Sequence, residues 1–353
     1  MSFEIILLCL RNPKYFGYIY SEMENITFDD QFGSKYTPSA IQAKEFLTLF
    51  RSHVENETTK GIYTTDTGLL KKRLDAIDLI IARHDENKKS FLMNIDINRL
   101  VFQLALRVRR PHSIDQGGFG FCGPTTILTA LAKRDPVKYT NFVLGLASKG
   151  TAKWGSYDVS LKPDDAVGWN TSENKAPEAD YVPLLALRKK AELVLSGSAS
   201  GGIDFDLAKQ PSHATTPRQM VQLLKMAGYS KVRDYTVALR TLPKHRTDIQ
   251  VDVMTRHLKN CSTKITGSNK EIVIMLINAD IADIVQTPST PWGSDPTVPK
   301  LADLHWILVK ALNVNTGLKS VTIKIVTWCW SKTATLDLTK FVHRYFGYII
   351  ATP

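Results

Sequence analysis

The run Asp115-Gln116-Gly117-Gly118-Phe119-Gly120-Phe121-Cys122-Gly123-Pro124-Thr125-Thr126 stands apart from the chain on either side of it. Three glycines within four positions make a tight loop whose backbone can approach another group closely, because no Cβ stands in the way. The apolar run Ile127, Leu128 and Leu131 then opens a helix, and Pro124 suits its first turn. Cys122 therefore sits at a helix N-terminus. Exposed N–H groups and the helix dipole favour an anion there, so the thiolate is the expected form.

Working outward, the first 110 residues read as helical. Thr37-Pro38 starts a helix with Ile41, Phe46, Leu47, Phe50 and Val54 at helical intervals. Asp66 or Thr67 caps a second, with Leu70, Leu74, Ile77 and Ile81 on one face, and Asp96 starts a third through Leu100, Leu104 and Val108 to the stop at Pro111. Downstream of the glycine loop, Asp135-Pro136 restarts a helix that Gly150 closes. Residues 150–215 are less regular, and Ser196 to Gly202 is the most linker-like tract. Thr216-Pro217 begins a capped helix with Gly228 as its stop.

The last third changes period. Glu271–Ile277 reads as a buried strand, His305–Val309 begins another, Val321–Trp328 alternates like a third and Gly347–Ala351 like a fourth. Helices first and strands later, without βαβ alternation, predict an α+β fold with an antiparallel sheet. The aromatic strip Trp328, Trp330, Tyr345, Phe346 and Tyr348 is expected to pack that sheet. The expected organisation is a helical region 1–110 followed by a catalytic domain 111–353, with 150–270 as an irregular and helical insertion.

Composition narrows the function. The chain has 353 residues, 43% hydrophobic and 22% charged, enough for a sizeable core and too regular for disorder throughout. No apolar run approaches the ~20 residues of a membrane helix. The run Ile5–Leu10 lacks the basic flank and small-residue cleavage site of a signal peptide. Four widely spaced cysteines (Cys9, Cys122, Cys261, Cys329) predict neither a disulfide framework nor a zinc site, and no cofactor is expected. The net charge of +11 favours anionic partners. The basic residues are dispersed, though; even Arg233–Lys259 is interrupted by Asp234, Asp248 and Asp252, so nucleic acid is not the expected partner.

Three residues carry the chemistry. A thiolate at Cys122 is a nucleophile that needs a base, and nothing nearby in sequence offers one. Gln116, six positions upstream across the glycine loop, has an amide that can join the Cys122 N–H as an oxyanion donor. Of eight histidines, His53, His84, His213, His245, His257 and His343 fall in polar or helical surroundings and His112 lies in the loop. Only His305 opens an apolar strand, between Leu304 and Trp306, and it is the expected base. Two other readings of the loop compete. A phosphate-binding loop fails because Cys122-Gly123-Pro124-Thr125 stands where Gly-Lys-Thr is needed. A plain glycine turn with Cys122 as a small buried residue remains open.

In this order and on these elements, Gln116, Cys122-Gly123-Pro124 and a His305-Trp306-Ile307-Leu308-Val309 strand resemble the papain-like cysteine peptidase superfamily, nearest its bacteriocin-processing (double-glycine) branch. The resemblance covers residues 111–150 and 270–352. It implies a papain-like fold with the nucleophile's helix packed on the C-terminal sheet. Cys122 would be nucleophile, His305 general base and then acid, and Gln116 oxyanion donor. The family holds the imidazole with an Asp or Asn on the next strand, but Val326-Thr327-Trp328-Cys329-Trp330-Ser331 has neither. Thr327 is the expected replacement, with Asp337 and Asn278 as alternatives.

The resemblance implies a peptide or protein amide as substrate, hydrolysed as a peptidase, amidase or deamidase would. It also suggests a bacterial effector toxin of the type VI kind, cytoplasmic or exported without a signal peptide. A cognate inhibitor (immunity) or delivery protein would be its partner. The rival from another class is an inactive papain-like adaptor whose basic face holds an acidic partner, and the missing Asp or Asn is the feature in its favour.

Overall fold

The computed structural model describes residues 39–59, 66–86, 89–167, 176–196, 215–237, 248–267, 271–292 and 304–353. Cys9, the Ile5–Leu10 run, His213, His245 and the glycine-serine tract after Ser196 lie outside them. The fold is α+β, with helices first and the main sheet late, as the order of periods predicts.

The N-terminal helices begin where their caps place them. Helix α1 is Ala40–Thr59, and α2 is Thr67–Asp85 with the Asp66 carboxylate accepting from Leu69 N–H. Helix α3 is Ile97–Arg109, capped by Asp96 through Arg99 N–H. Then come α4 (Cys122–Arg134) and α5 (Pro136–Lys149), the latter ending at Gly150, whose φ of 70° is the left-handed stop. A two-stranded hairpin follows, β1 (Thr151–Trp154) and β2 (Tyr157–Ser160). Helix α6 is Glu178–Ser196 and α7 is Pro217–Met226, where Thr216 and Gln219 form a reciprocal capping box. Residues 150–167 and 176–196 thus hold more regular structure than their Pro, Gly and Asp content suggests.

The remainder is β3 (Lys231–Asp234), α8 (Asp248–Gly267), β4 (Ile272–Asn278), α9 (Ala279–Gln286), β5 (Leu304–Asn315), β6 (Ser320–Thr327), β7 (Trp330–Asp337), α10 (Leu338–His343) and β8 (Tyr345–Thr352). Six strands form one antiparallel sheet in the order β3-β8-β4-β5-β6-β7. Its two edge strands are the ones the sequence reading misses. Neither carries a clear apolar alternation, because an edge strand is only partly covered: β3 is exposed or half-buried throughout and β7 buries only Leu336.

The chain forms two compact units, one of residues 1–118, 131–154 and 158–186, the other of 119–130, 155–157 and 187–353. In the first unit two buried ion pairs join α3 to α6: Arg99 to Glu178 at 2.6 Å and Arg107 to Asp180 at 2.6 Å. The Asp180 carboxylate also accepts from Asp115 N–H at 3.0 Å, and Asp115 in turn accepts from Gly117 N–H, which sets the base of the glycine loop. Burial opposes the charge on Arg107, but Asp180 outweighs it and holds the guanidinium protonated.

In the second unit one sheet face is covered by α8, α9 and α10. Met254, Leu258 and Cys261 of α8 and Ile281 and Val285 of α9 meet Met275, Ile277, Ile307, Val309, Ile323 and Ile325. Burying a Leu- or Ile-sized side chain contributes about 1.5–3 kcal/mol, so this layer fixes the register of β4, β5 and β6. Tyr345, Phe346 and Tyr348 of the aromatic strip are buried in the sheet.

Candidate functional site

Helix α4 starts where the sequence places it. Phe121 accepts the first helical bond, from Thr125 N–H at 2.9 Å, and its ring stacks on Phe119 with centroids 5.3 Å apart. Cys122 is thus in the first turn. Gly123 is required by its neighbour: a Cβ there would fall 2.5 Å from both Cβ and Oγ1 of Thr215. Real side chains do not approach that closely, so only glycine lets Thr215 seat against the start of the helix.

The helix is tied to β5 through backbone. The Thr126 hydroxyl lies 2.8 Å from the Cys122 carbonyl and 3.2 Å from the Trp306 carbonyl, 180 residues away in sequence. The Trp306 indole N–H donates to the Thr215 carbonyl at 2.6 Å. Most telling, the Cys122 sulfur accepts the backbone N–H of Trp306 as well as that of Gly123. Trp306 N is two covalent bonds from the His305 Cα. The fold therefore delivers the sulfur to the peptide joining His305 to Trp306.

His305 faces Ile277 across β4 and β5, and strand alternation sends its side chain to the face opposite that of Trp306. Its Nε2 is hydrogen-bonded to Thr327 Oγ1, the last residue of β6, and its ring lies against Trp328 with centroids 4.5 Å apart. The Trp328 position depends on an unusual turn. Thr327 pairs with Trp330, leaving Trp328 and Cys329 as a two-residue hairpin loop with φ of 42° and 61°. Both positive values belong to a type I′ turn, which asparagine and glycine normally occupy. A tryptophan and a cysteine there cost conformational energy, and the ring is held over the imidazole as a result.

Of the alternatives to Thr327, neither reaches the imidazole. The Asp337 carboxylate caps α10 by accepting from Lys340 N–H, and Asp337 pairs with Ser320 at the opposite end of β6 from Thr327. The Asn278 side chain caps α9 by accepting from Asp280 N–H. Gln116 is half-buried and belongs to the first compact unit, whereas Cys122, His305 and Thr327 belong to the second.

The electrostatics correct one expectation. Burial pushes the Cys122 thiol above its ordinary range, against the lowering effects of the Trp306 and Gly123 N–H groups and of Arg188. Burial likewise lowers His305 from 6.5 to about 3. Only 5% of Cys122 and 4% of His305 is exposed, so desolvation of the charged forms outweighs the helix terminus. The resting pair is a neutral thiol and a neutral imidazole, not a preformed thiolate. With Nε2 engaged by Thr327, Nδ1 is the nitrogen left to exchange a proton.

Arg188, Thr215 and Thr126 escape the sequence reading. Thr126 had a signal, standing one helical turn after Cys122; Arg188 and Thr215 had none, because only tertiary packing brings them to the sulfur. Among the described residues no group of three His, Cys, Asp or Glu is placed to hold a metal ion, and no helix is long and apolar enough to cross a membrane. Comparison with protein-family models, curated proteins and solved structures finds no match to the chain.

Proposed function

We propose that the chain is a cysteine-dependent amide hydrolase of the papain-like kind, a peptidase, amidase or deamidase. The observation that carries this reading is the bond from Trp306 N–H to the Cys122 sulfur, which brings a cysteine at a helix start to the residue that follows a strand-opening histidine. Cys122 is the nucleophile. His305 takes the thiol proton through Nδ1 as the sulfur attacks the carbonyl carbon, and Thr327 holds the ring from Nε2.

The tetrahedral oxyanion is received by the Cys122 N–H. His305 then gives the proton to the leaving nitrogen, the C–N bond breaks, and a thioester remains. Water, deprotonated by His305, attacks that thioester, returns the proton to sulfur and releases the carboxylate. The substrate is a peptide or protein amide. An effector role, restrained by a cognate inhibitor, is the biological setting that fits this chemistry.

The neutral, buried pair favours a second reading, a papain-like adaptor that no longer turns over and binds an acidic partner through its basic face. Incubation with glutamine-containing peptides, read for ammonia and for new amino termini, separates the two. Release of either by the wild-type protein and by neither Cys122→Ala nor His305→Ala supports the hydrolase; identical traces for all three proteins support the adaptor.

A further inference from the structure

The neutral resting pair raises the question of what balances the negative charge once the thiol loses its proton. In papain-like chemistry the imidazolium does so, yet here His305 resists protonation and is occupied at Nε2 by a hydroxyl that adds no negative charge. Neutral and cationic groups act on the sulfur instead. Among them are the N–H groups of Trp306 and Gly123. Another is the guanidinium of Arg188, on α6, nine-tenths or more buried within the same compact unit.

The position of Arg188 is built. Its Nη1 lies 3.5 Å from Thr215 Oγ1. Thr215 is itself fixed on two sides, by the glycine-only contact with Gly123 and by its carbonyl's bond from the Trp306 indole. Arg188, Gly123 and Trp306 therefore share one threonine, and the first two flank the sulfur-bearing residue.

Resting on the hydrolase reading, we propose that Arg188 is a positioning residue that holds the charge of the Cys122 thiolate while His305, neutral at rest, carries the thiol proton as a transient imidazolium. The proton leaves Sγ for His305 Nδ1 and passes to the leaving nitrogen. The thiolate is stabilised meanwhile by Arg188 and two backbone amides. Arg188 is the charged group that acts on the Cys122 sulfur, and Thr215 and Trp306 beside it do not titrate.

The test is the rate of Cys122 alkylation by iodoacetamide against pH from 6 to 10.5, followed by peptide mass spectrometry on the full chain. In Arg188→Gln the profile should move at least one pH unit to the alkaline side, so that alkylation at pH 8 falls about tenfold, with the alkaline plateau unchanged. Arg188→Lys should lie between the two. A merely structural role would alter the plateau through access and leave the midpoint in place. Thr215→Val, which removes the hydroxyl at Nη1 and keeps the shape, should shift the midpoint in the same direction by less, and it serves if Arg188→Gln does not fold. Coincident midpoints for wild type, Arg188→Lys and Thr215→Val overturn the proposal. A shifted midpoint in a protein that hydrolyses no amide upholds the charge role and removes the hydrolase reading beneath it.

Discussion

Thr327 Oγ1 is hydrogen-bonded to His305 Nε2 across the ends of β5 and β6, so the group that meets the imidazole is a hydroxyl and not a carboxylate or an amide. A hydroxyl can accept from the imidazole N–H and so select the tautomer with Nδ1 unprotonated, but it cannot stabilise imidazolium as a carboxylate does. On the hydrolase reading, the consequence is a base oriented without being made stronger. Thr327→Val keeps the shape and removes the bond, worth about 1 kcal/mol. Turnover should fall about five- to tenfold, and Thr327→Ser should restore it. Thr327→Asn, which supplies an amide oxygen, should remain active. Hydrolysis rates for the three variants check this.

Stability should depend on pH through the same ring. An imidazole whose value falls from 6.5 to about 3 on folding binds its proton more readily in the unfolded chain. The stability this ring confers is complete above about pH 6.5 and is lost towards pH 3, at about 1.4 kcal/mol per unit. Burial raises the carboxyls of Asp115 and Glu178, which act in the opposite sense, and lowers His257, which acts in the same sense. The difference between wild type and His305→Gln isolates the effect. Urea midpoints at pH 7, 6, 5 and 4 should show the wild type losing stability faster than the variant.

The hairpin that carries Trp328 pays in backbone strain for its placement. A left-handed non-glycine residue costs about 1–2 kcal/mol, and Cys329 at φ 61° has no ring over His305 to justify it. Cys329→Gly should stabilise the protein by about 1 kcal/mol in urea denaturation and leave hydrolysis unchanged. Trp328→Asn suits the turn equally well but uncovers the imidazole. Its His305 should titrate closer to 6.5, visible in histidine proton resonances.

Gly123 is constrained from outside its helix. Gly123→Ala places a Cβ against Thr215, and overpacking of this kind costs about 1–3 kcal/mol. Calorimetry should show the loss, and Gly123→Ala combined with Thr215→Gly should recover most of it. A helix-propensity effect alone would give the opposite sign, because alanine favours helix.

What was legible in the sequence follows from which forces are local. Caps at Asp66, Asp96, Asp135 and Thr216 act within four residues, and the helices start where they predict. Strands β4, β5, β6 and β8 showed themselves because burial imposes an apolar pattern; β3 and β7, partly uncovered edges, carried none. Cys122 and His305 were visible as unusual residues at the starts of strong elements. Arg188 and Thr215 were not, since their meaning comes from contacts across long stretches of chain. The state of the thiol was misjudged for the same reason: the helix terminus is a local effect, and the burial that outweighs it is tertiary.

Alkylation of the native protein with iodoacetamide at pH 8, with and without His305, bears most directly on the proposed nucleophile–base pair. Cys122 should be modified in the folded wild type ahead of the buried Cys261, whose thiol burial also pushes up, and His305→Ala should slow Cys122 about tenfold or more while Cys261 stays unchanged. Modification of Cys122 only on unfolding, in step with Cys261 and indifferent to His305, would contradict the assignment.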